Sequence, residues 1–298
     1  MKAKFFRSTA AFLAFAVAIS IGANVSKAQY GGGGGGNVPM QQAPPEKKGD
    51  KGDKGDKGDK GDKGDKGDKG EKVNKAEEAA YKAVYAARTG SPESQIPLCE
   101  DFIAKFPQSH YLMGVYSQLT TAYYAVGQED KMFVTGTKAI ELNPDNVDVL
   151  ALLAMAMPRR VKANTPDAKQ QYEKAETYAR HAIELIPNLA KPDTVDDATF
   201  EKAKNDKLSM AHSGLGLIDL QLHQKPEDAR TELTQAVQLA TNPDPVDFYL
   251  LGNADVMASY YNDAVAAYEK CATSGPLVAQ CKAREELAKK DATTKMGR

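Results

Sequence analysis

The residues best suited to catalysis or metal binding are three cysteines, Cys99, Cys271 and Cys281, and four histidines, His110, His181, His212 and His223. Zinc and hydrolytic sites need such groups at set spacings, for example two histidines one helical turn apart or paired cysteines two residues apart. No two of these histidines are four apart, and neither HExxH nor CxxC occurs. His181 and His212 therefore read as helix-surface or inter-helix residues. Cys99 lies in IPLCEDFIAKF, where helical spacing puts it on an apolar face, so it reads as core and not as a nucleophile. No GxSxG, phosphate loop or dinucleotide fingerprint is present. The run Ser213-Gly214-Leu215-Gly216-Leu217 offers a G-x-G, but inside a helical pattern that marks close helix packing. The expectation is a protein that is not an enzyme, with no catalytic residue, no metal site and no cofactor.

The elements that carry these residues begin only after the first quarter of the chain. The chain has 298 residues, a net charge of −1 and a pI near 6.5, which provides no basic face for nucleic acid and no strong attraction to acidic membranes. Residues 1–28 read as a secretory signal peptide: Lys2, Lys4 and Arg7, then the apolar run Ala10 to Ala23, then Ser26-Lys27-Ala28 for cleavage. That implies a periplasmic or secreted protein with no integral membrane segment after cleavage.

Residues 29–72 read as a low-complexity linker. Six glycines, Gly31 to Gly36, precede NVPMQQAPPEKK and then seven GDK triplets and one GEK. Two readings of the triplets stay open. As one chain, the tract is a mixed polyampholyte that buries no apolar area and acts as a disordered spacer. As three chains, strict glycine at every third position is the signature of a collagen triple helix, similar to the charged triplets of bacterial collagen-like proteins. The absence of proline from the triplets favours the spacer, so the linker is taken as disordered and the homotrimer as the alternative. Molar mass in solution separates the two.

From Val73 onward, apolar residues recur at helical spacing, as in AEEAAYKAVYAAR and QYEKAETYARHAIELIP. Helix stops follow at intervals: FPQS, LNPD, IPN, TNPDP and SGP. Residues 73–298 are expected to be all-α. Cys271 and Cys281 flank the turn Thr273-Ser274-Gly275-Pro276, each five residues from Pro276, where an antiparallel helical hairpin lets them face each other. Export provides an oxidising setting, so a disulfide between them is expected, with Cys99 unpaired; two unpaired core thiols are the alternative.

The segment from Pro245 to Pro276 resembles the tetratricopeptide-repeat family, with Phe248, Leu251 and Gly252 in a first helix and Ala264, Tyr268 and Cys271 in a second. Residues 113–146 are similar through Tyr116, Leu119, Tyr123, Ala139 and Pro144, with Thr120 for glycine, Met132 for alanine and Gly136 for the aromatic. A third unit starts at Leu150, Leu153 and Ala154 and resumes at Ala175, Ala179, Ala182 and Pro187 after the insertion PRRVKANTP. A fourth uses Leu215, Gly216, Ala229, Leu233 and Ala236; a degenerate first lies at 76–107; and Leu277 to Lys290 forms a capping helix. The resemblance implies a right-handed helical solenoid of about four to five helix pairs plus the cap. It also implies a non-enzymatic scaffold of the cell envelope, holding a protein or peptide partner on a concave face lined by first helices. The family's groove positions fall on Ser117, Thr121, Tyr124, Ser213, Tyr249 and Asn253. Its carboxylate clamp is matched only by Asn253, because Tyr249 stands where the lysine would be. The alternative function is a collagen-like trimeric stalk presenting three such domains as a structural envelope protein.

Overall fold

A computed structural model describes residues 74–162 and 165–295; the signal-peptide and triplet-linker expectations lie outside the described residues. The described chain is an all-α stack of five antiparallel helix pairs and a terminal helix. The pairs are α1 (Lys75–Ala87) with α2 (Pro92–Lys105), α3 (Leu112–Ala125) with α4 (Glu129–Leu142), and α5 (Val147–Arg160) with α6 (Ala168–Leu185). They continue with α7 (Asp197–Ile218) and α8 (Pro226–Leu239), then α9 (Pro245–Met257) and α10 (Tyr261–Cys271), and α11 (Val278–Thr294) closes the stack. Each helix packs on its neighbours in sequence and, in the middle of the stack, α5 packs equally on α7, which is the pattern of a solenoid.

Local chemistry sets the boundaries. Asn74, Asn146, Asp196 and Asp244 cap α1, α5, α7 and α9 by accepting from backbone N–H groups of the first turn. Pro92, Pro226 and Pro245 open α2, α8 and α9, where a missing N–H costs nothing. The expected stops fall just beyond α2, α4, α6, α8 and α10. One boundary differs. Pro158 to Arg160 belong to the last turns of α5, so the insertion between α5 and α6 is shorter than PRRVKANTP suggests.

Pairing follows a size rule. Gly252 on α9 faces the ring of Tyr268 on α10, where an added Cβ would meet the ring at 2.6 Å. The second pair reverses the sizes. Thr120 on α3 faces Gly136 on α4, and an added Cβ there would meet Thr120 at 3.2 Å. Both pairs are sixteen residues apart. The two departures from the repeat pattern, Thr120 and Gly136, thus compensate each other across one contact, conserving volume. Ala139, Ala182, Ala236 and Ala264 are fully buried on the second helices and let them close on their neighbours.

The tightest glycine contact is between first helices α5 and α7. A Cβ on Gly214 would lie 2.2 Å from the carbonyl oxygen of Ala154 and 2.7 Å from its carbon. Pro158 has no N–H to give that carbonyl, four residues back in α5, and its ring crowds it. The carbonyl is therefore left to face α7, and only glycine fits against it.

Gly214→Ala sets a methyl against backbone, which cannot swing aside. It should cost at least the ~1–3 kcal/mol of an overpacked core and lower the melting temperature followed by circular dichroism. Gly136→Ala meets only side-chain carbons, the nearest at 3.0 Å, and should cost clearly less. Equal melting of the two variants would refute the backbone contact.

Candidate functional site

The first helices form a continuous inner layer. α5 contacts α7 as extensively as it contacts its own partner α6, and α3 also reaches α5 and α7 reaches α9. In a curved stack, helices that approach their next-but-one neighbours lie on the inside of the curve.

The six expected groove residues divide on this layer. Ser117, Ser213 and Tyr249 are 0%, 1% and 6% exposed, so they are not groove residues. The physical reason is the close first-helix packing. Ser117 is sealed among buried neighbours of α3; Ser213 sits one residue from the α5–α7 contact; and Tyr249 packs into the last apolar cluster, 6.1 Å from the Tyr268 ring centre. Thr121 and Tyr124 on α3 and Asn253 on α9 remain partly exposed. The Thr121 hydroxyl donates to the Gln118 carbonyl, and the Asn253 side chain accepts from the Tyr268 hydroxyl at 2.8 Å. The structure does not gather these three, because α5 and α7 stand between α3 and α9.

Sequence reading missed what occupies the middle of the layer. Arg159, in the last turn of α5, reaches past α7 to the first turn of α9. Its Nη1 donates to Asp244 at 2.7 Å, and its Nη2 donates to Asp247 at 2.7 Å and to the Ser213 hydroxyl at 2.9 Å. Ser213 donates in turn to Asp247 at 2.6 Å. The cation at a helix C-terminus and the carboxylates at a helix N-terminus both complement the helix dipoles. Burial opposes the Arg159 charge, but Asp247, Asp244 and the nearby Tyr124 phenol hold its pKa above the ordinary value. Burial also works against the Asp244 carboxylate, yet Arg159 and the Val246 N–H hold it below the usual range. Asp247 is pushed up, first by burial and then by Asp244 beside it, with Arg159 and Ser213 pulling the other way. The only hint in the sequence was Asp-Pro-Val-Asp at a helix start, which announces a cap and not a long-range ion pair.

The histidines join helices or face solvent. His181 meets Asp145 at 2.7 Å, His212 meets Glu232 at 2.6 Å, His223 meets Glu176 at 3.0 Å, and His110 is exposed beside the Tyr111 ring. Among the described residues, no group of three or more His, Cys, Asp or Glu side chains could hold a metal ion. α7 ends in a π-helical turn, Asp219–His223, and Gln224 follows in the left-handed region at φ 54°. Asp219 there is pushed up to about 6, chiefly by burial, then by Asp228, Glu232 and Glu176, against the pull of His223. A second cross-helix pair lies nearby: Arg230 Nε donates to Asp255 at 2.6 Å and Nη2 to Asp263 at 2.5 Å, joining α8, α9 and α10.

Cys271 ends α10 and Cys281 lies in the first turn of α11, both fully buried. Their Cα atoms are 5.8 Å apart, within the range a disulfide requires, and the two sulfurs meet at bonding distance. Cys99 is buried and unpaired, and burial pushes its thiol up to about 12, which suits a packing residue and not a nucleophile.

No protein-family profile and no curated protein matches the chain. Solved structures do. A thermophilic TPR protein of Thermus thermophilus (TTC0263) is 17% identical, covers 71% of this chain and 98% of its own, and superposes with a TM-score of 0.42. The RS-1 ArsTM double mutant of MamA is 13% identical over 74% of this chain and 98% of its own, at 0.41. BtubC from P. vanneervenii is 17% identical over 70% and 80%, at 0.42. The tetratricopeptide-like, all-helical repeat fold of this chain rests on its own helix pairing and on the small-against-large contacts across its second and fifth pairs.

Removing the buried cation strands Asp247. Arg159→Met should therefore destabilise by about 3–5 kcal/mol in urea unfolding, and adding Asp247→Asn should recover most of it. Failure of the second substitution to recover stability would refute the pairing as described.

A second expectation concerns pH. Asp219 is raised in the folded state, so the native protein holds a proton there that the unfolded chain, with an ordinary Asp near ~3.9, releases first. The stability from that proton is full below ~4 and is lost as pH rises through about 6. Asp219→Asn should therefore melt above the parent at pH 7.5, and the gap should close as pH falls to 5. A constant gap would show that Asp219 does not titrate in this window.

Proposed function

We propose that this chain is a non-enzymatic scaffold of the cell envelope that binds a protein or peptide along the inner layer of its helix pairs. The observation that carries this reading is the Arg159 cluster. It locks α5, α7 and α9 together, so the layer is rigid before any partner arrives, and rigidity spares the partner the cost of ordering it. Tyr124 lies beside this lock, half-buried on α3, with its phenol close to Arg159 and with Thr121 one turn away. A half-buried tyrosine offers a large apolar ring and a hydroxyl with little freedom to lose. The middle of the layer is closed by internal pairing, so contact falls on α3 and on the exposed end of α9 around Asn253 and Met257. The periplasmic or secreted location belongs to the same reading and rests on residues 1–28. No helix among the described residues is long and apolar enough to cross a membrane.

Cross-linking in envelope extracts of the source organism, with a photoreactive residue at position 121 or 124, should trap one partner, and the same residue at exposed Leu142 on α4 should not. With that partner, Tyr124→Ala should weaken binding by ~1–2 kcal/mol without changing helicity. Tyr123→Ala and Tyr249→Ala should instead lower the melting temperature, because both rings are buried. Full binding by Tyr124→Ala would remove α3 from the interface.

A further inference from the structure

The terminal helix α11 packs along α10, but it buries few side chains of its own there. Of its seventeen residues, only Cys281 and Ala288 are buried, and the preceding Leu277 adds one larger apolar anchor. Its ion pairs run along the helix itself, Lys289 with Glu285 and Glu286, and Lys295 with Asp291. One charge-to-ring contact crosses to α10, Lys295 over Tyr261 at 5.5 Å. No side chain caps its N-terminus. An isolated helix of this length is marginal in water, so its order depends on docking. Yet it covers the apolar end of the stack, where Leu250, Ala264, Tyr268 and Cys271 form one cluster with Leu277, Cys281 and Ala288. A stack of repeats needs such a polar-faced cap to stay soluble.

We propose that Cys271 and Cys281 form a redox latch that docks α11: joined, they hold the cap on the fifth pair; reduced, they release it and open the end of the stack. The reaction is an ordinary exchange with a dithiol. Both sulfurs are buried while α11 is docked, so a thiolate of the dithiol attacks one of them when the end of α11 opens locally; the S–S bond breaks, and a mixed disulfide forms. The second thiol of the dithiol then resolves it, leaving Cys271 and Cys281 as thiols and the reductant as a disulfide. Two electrons and two protons pass to the protein. Cys99 stays out of this exchange, because it lies on α2, at the far end of the stack from the pair. The latch rests on the sulfur pairing and the thin anchoring of α11, independently of the inner-layer binding reading.

The test is limited trypsin digestion of the full chain with and without dithiothreitol, read by mass spectrometry at Lys282, Arg284 and Lys289. Reduction should speed cleavage at these three sites about tenfold while sites in α5 and α7 stay protected, because proteolysis follows the opened population. Cys281→Ser should be cleaved at the fast rate with or without reductant, and circular dichroism should show that the rest of the stack keeps its melting transition. Equal cleavage of oxidised and reduced protein would overturn the latch. So would two unmodified thiols in the 271–281 peptide of protein purified without reductant. Loss of partner capture with an intact latch would bear on the binding reading alone.

Discussion

The contact between Gly214 and the Ala154 carbonyl governs this fold. It brings the backbones of α5 and α7 together, closer than any side chain allows. Its origin lies in α5 itself, where Pro158 withholds the N–H that carbonyl would otherwise accept. A carbonyl left without its helical donor costs free energy unless something polar or weakly polar reaches it. The Cα–H groups of a glycine helix face are such a partner. The residue after Pro158 is Arg159, so the same helix end that allows the close approach also carries the guanidinium across α7.

From that approach follows the character of the inner layer. Helices this close leave no room for a solvated groove between them, so hydroxyls that would line a wider stack are enclosed instead. Ser213 becomes a relay between Arg159 and Asp247. A buried cation with two carboxylates is no source of large stability in itself, because removing the charges from water costs about as much as their attraction returns. What it gives is register: the ends of α5 and α9 are fixed to each other across a helix that belongs to neither pair.

The two ends of the stack are secured by different chemistry. At the first pair, aromatic packing does the work: Tyr81 stacks on Tyr111 with ring centres 3.9 Å apart, and Phe102 lies edge-on to both. At the last pair, a hairpin of small buried residues is closed by two sulfurs. A ring cluster buries a large area and is indifferent to redox state. A short disulfide-closed loop contributes roughly 2.5–3 kcal/mol by the chain-entropy argument and is lost on reduction.

Much of this was legible in the residues alone. The proline stops are local chemistry, so they fix helix ends wherever the helices go. The all-α class and the repeat register follow from periodicity and from small and large residues at a set spacing, as with Gly252 and Tyr268. The facing of Cys271 and Cys281 across a short turn is likewise a matter of hairpin geometry. The tertiary structure alone decided which first-helix side chains see solvent. Ser117 and Thr121 lie one turn apart on the same helix face, yet one is sealed and the other is not. A helix face is set by rotation about its own axis, but burial is set by neighbours from other pairs. The Arg159 pairing was hidden for the same reason: its partners lie 85 and 88 residues away. Only the approach of α5 to α7 brings them within reach.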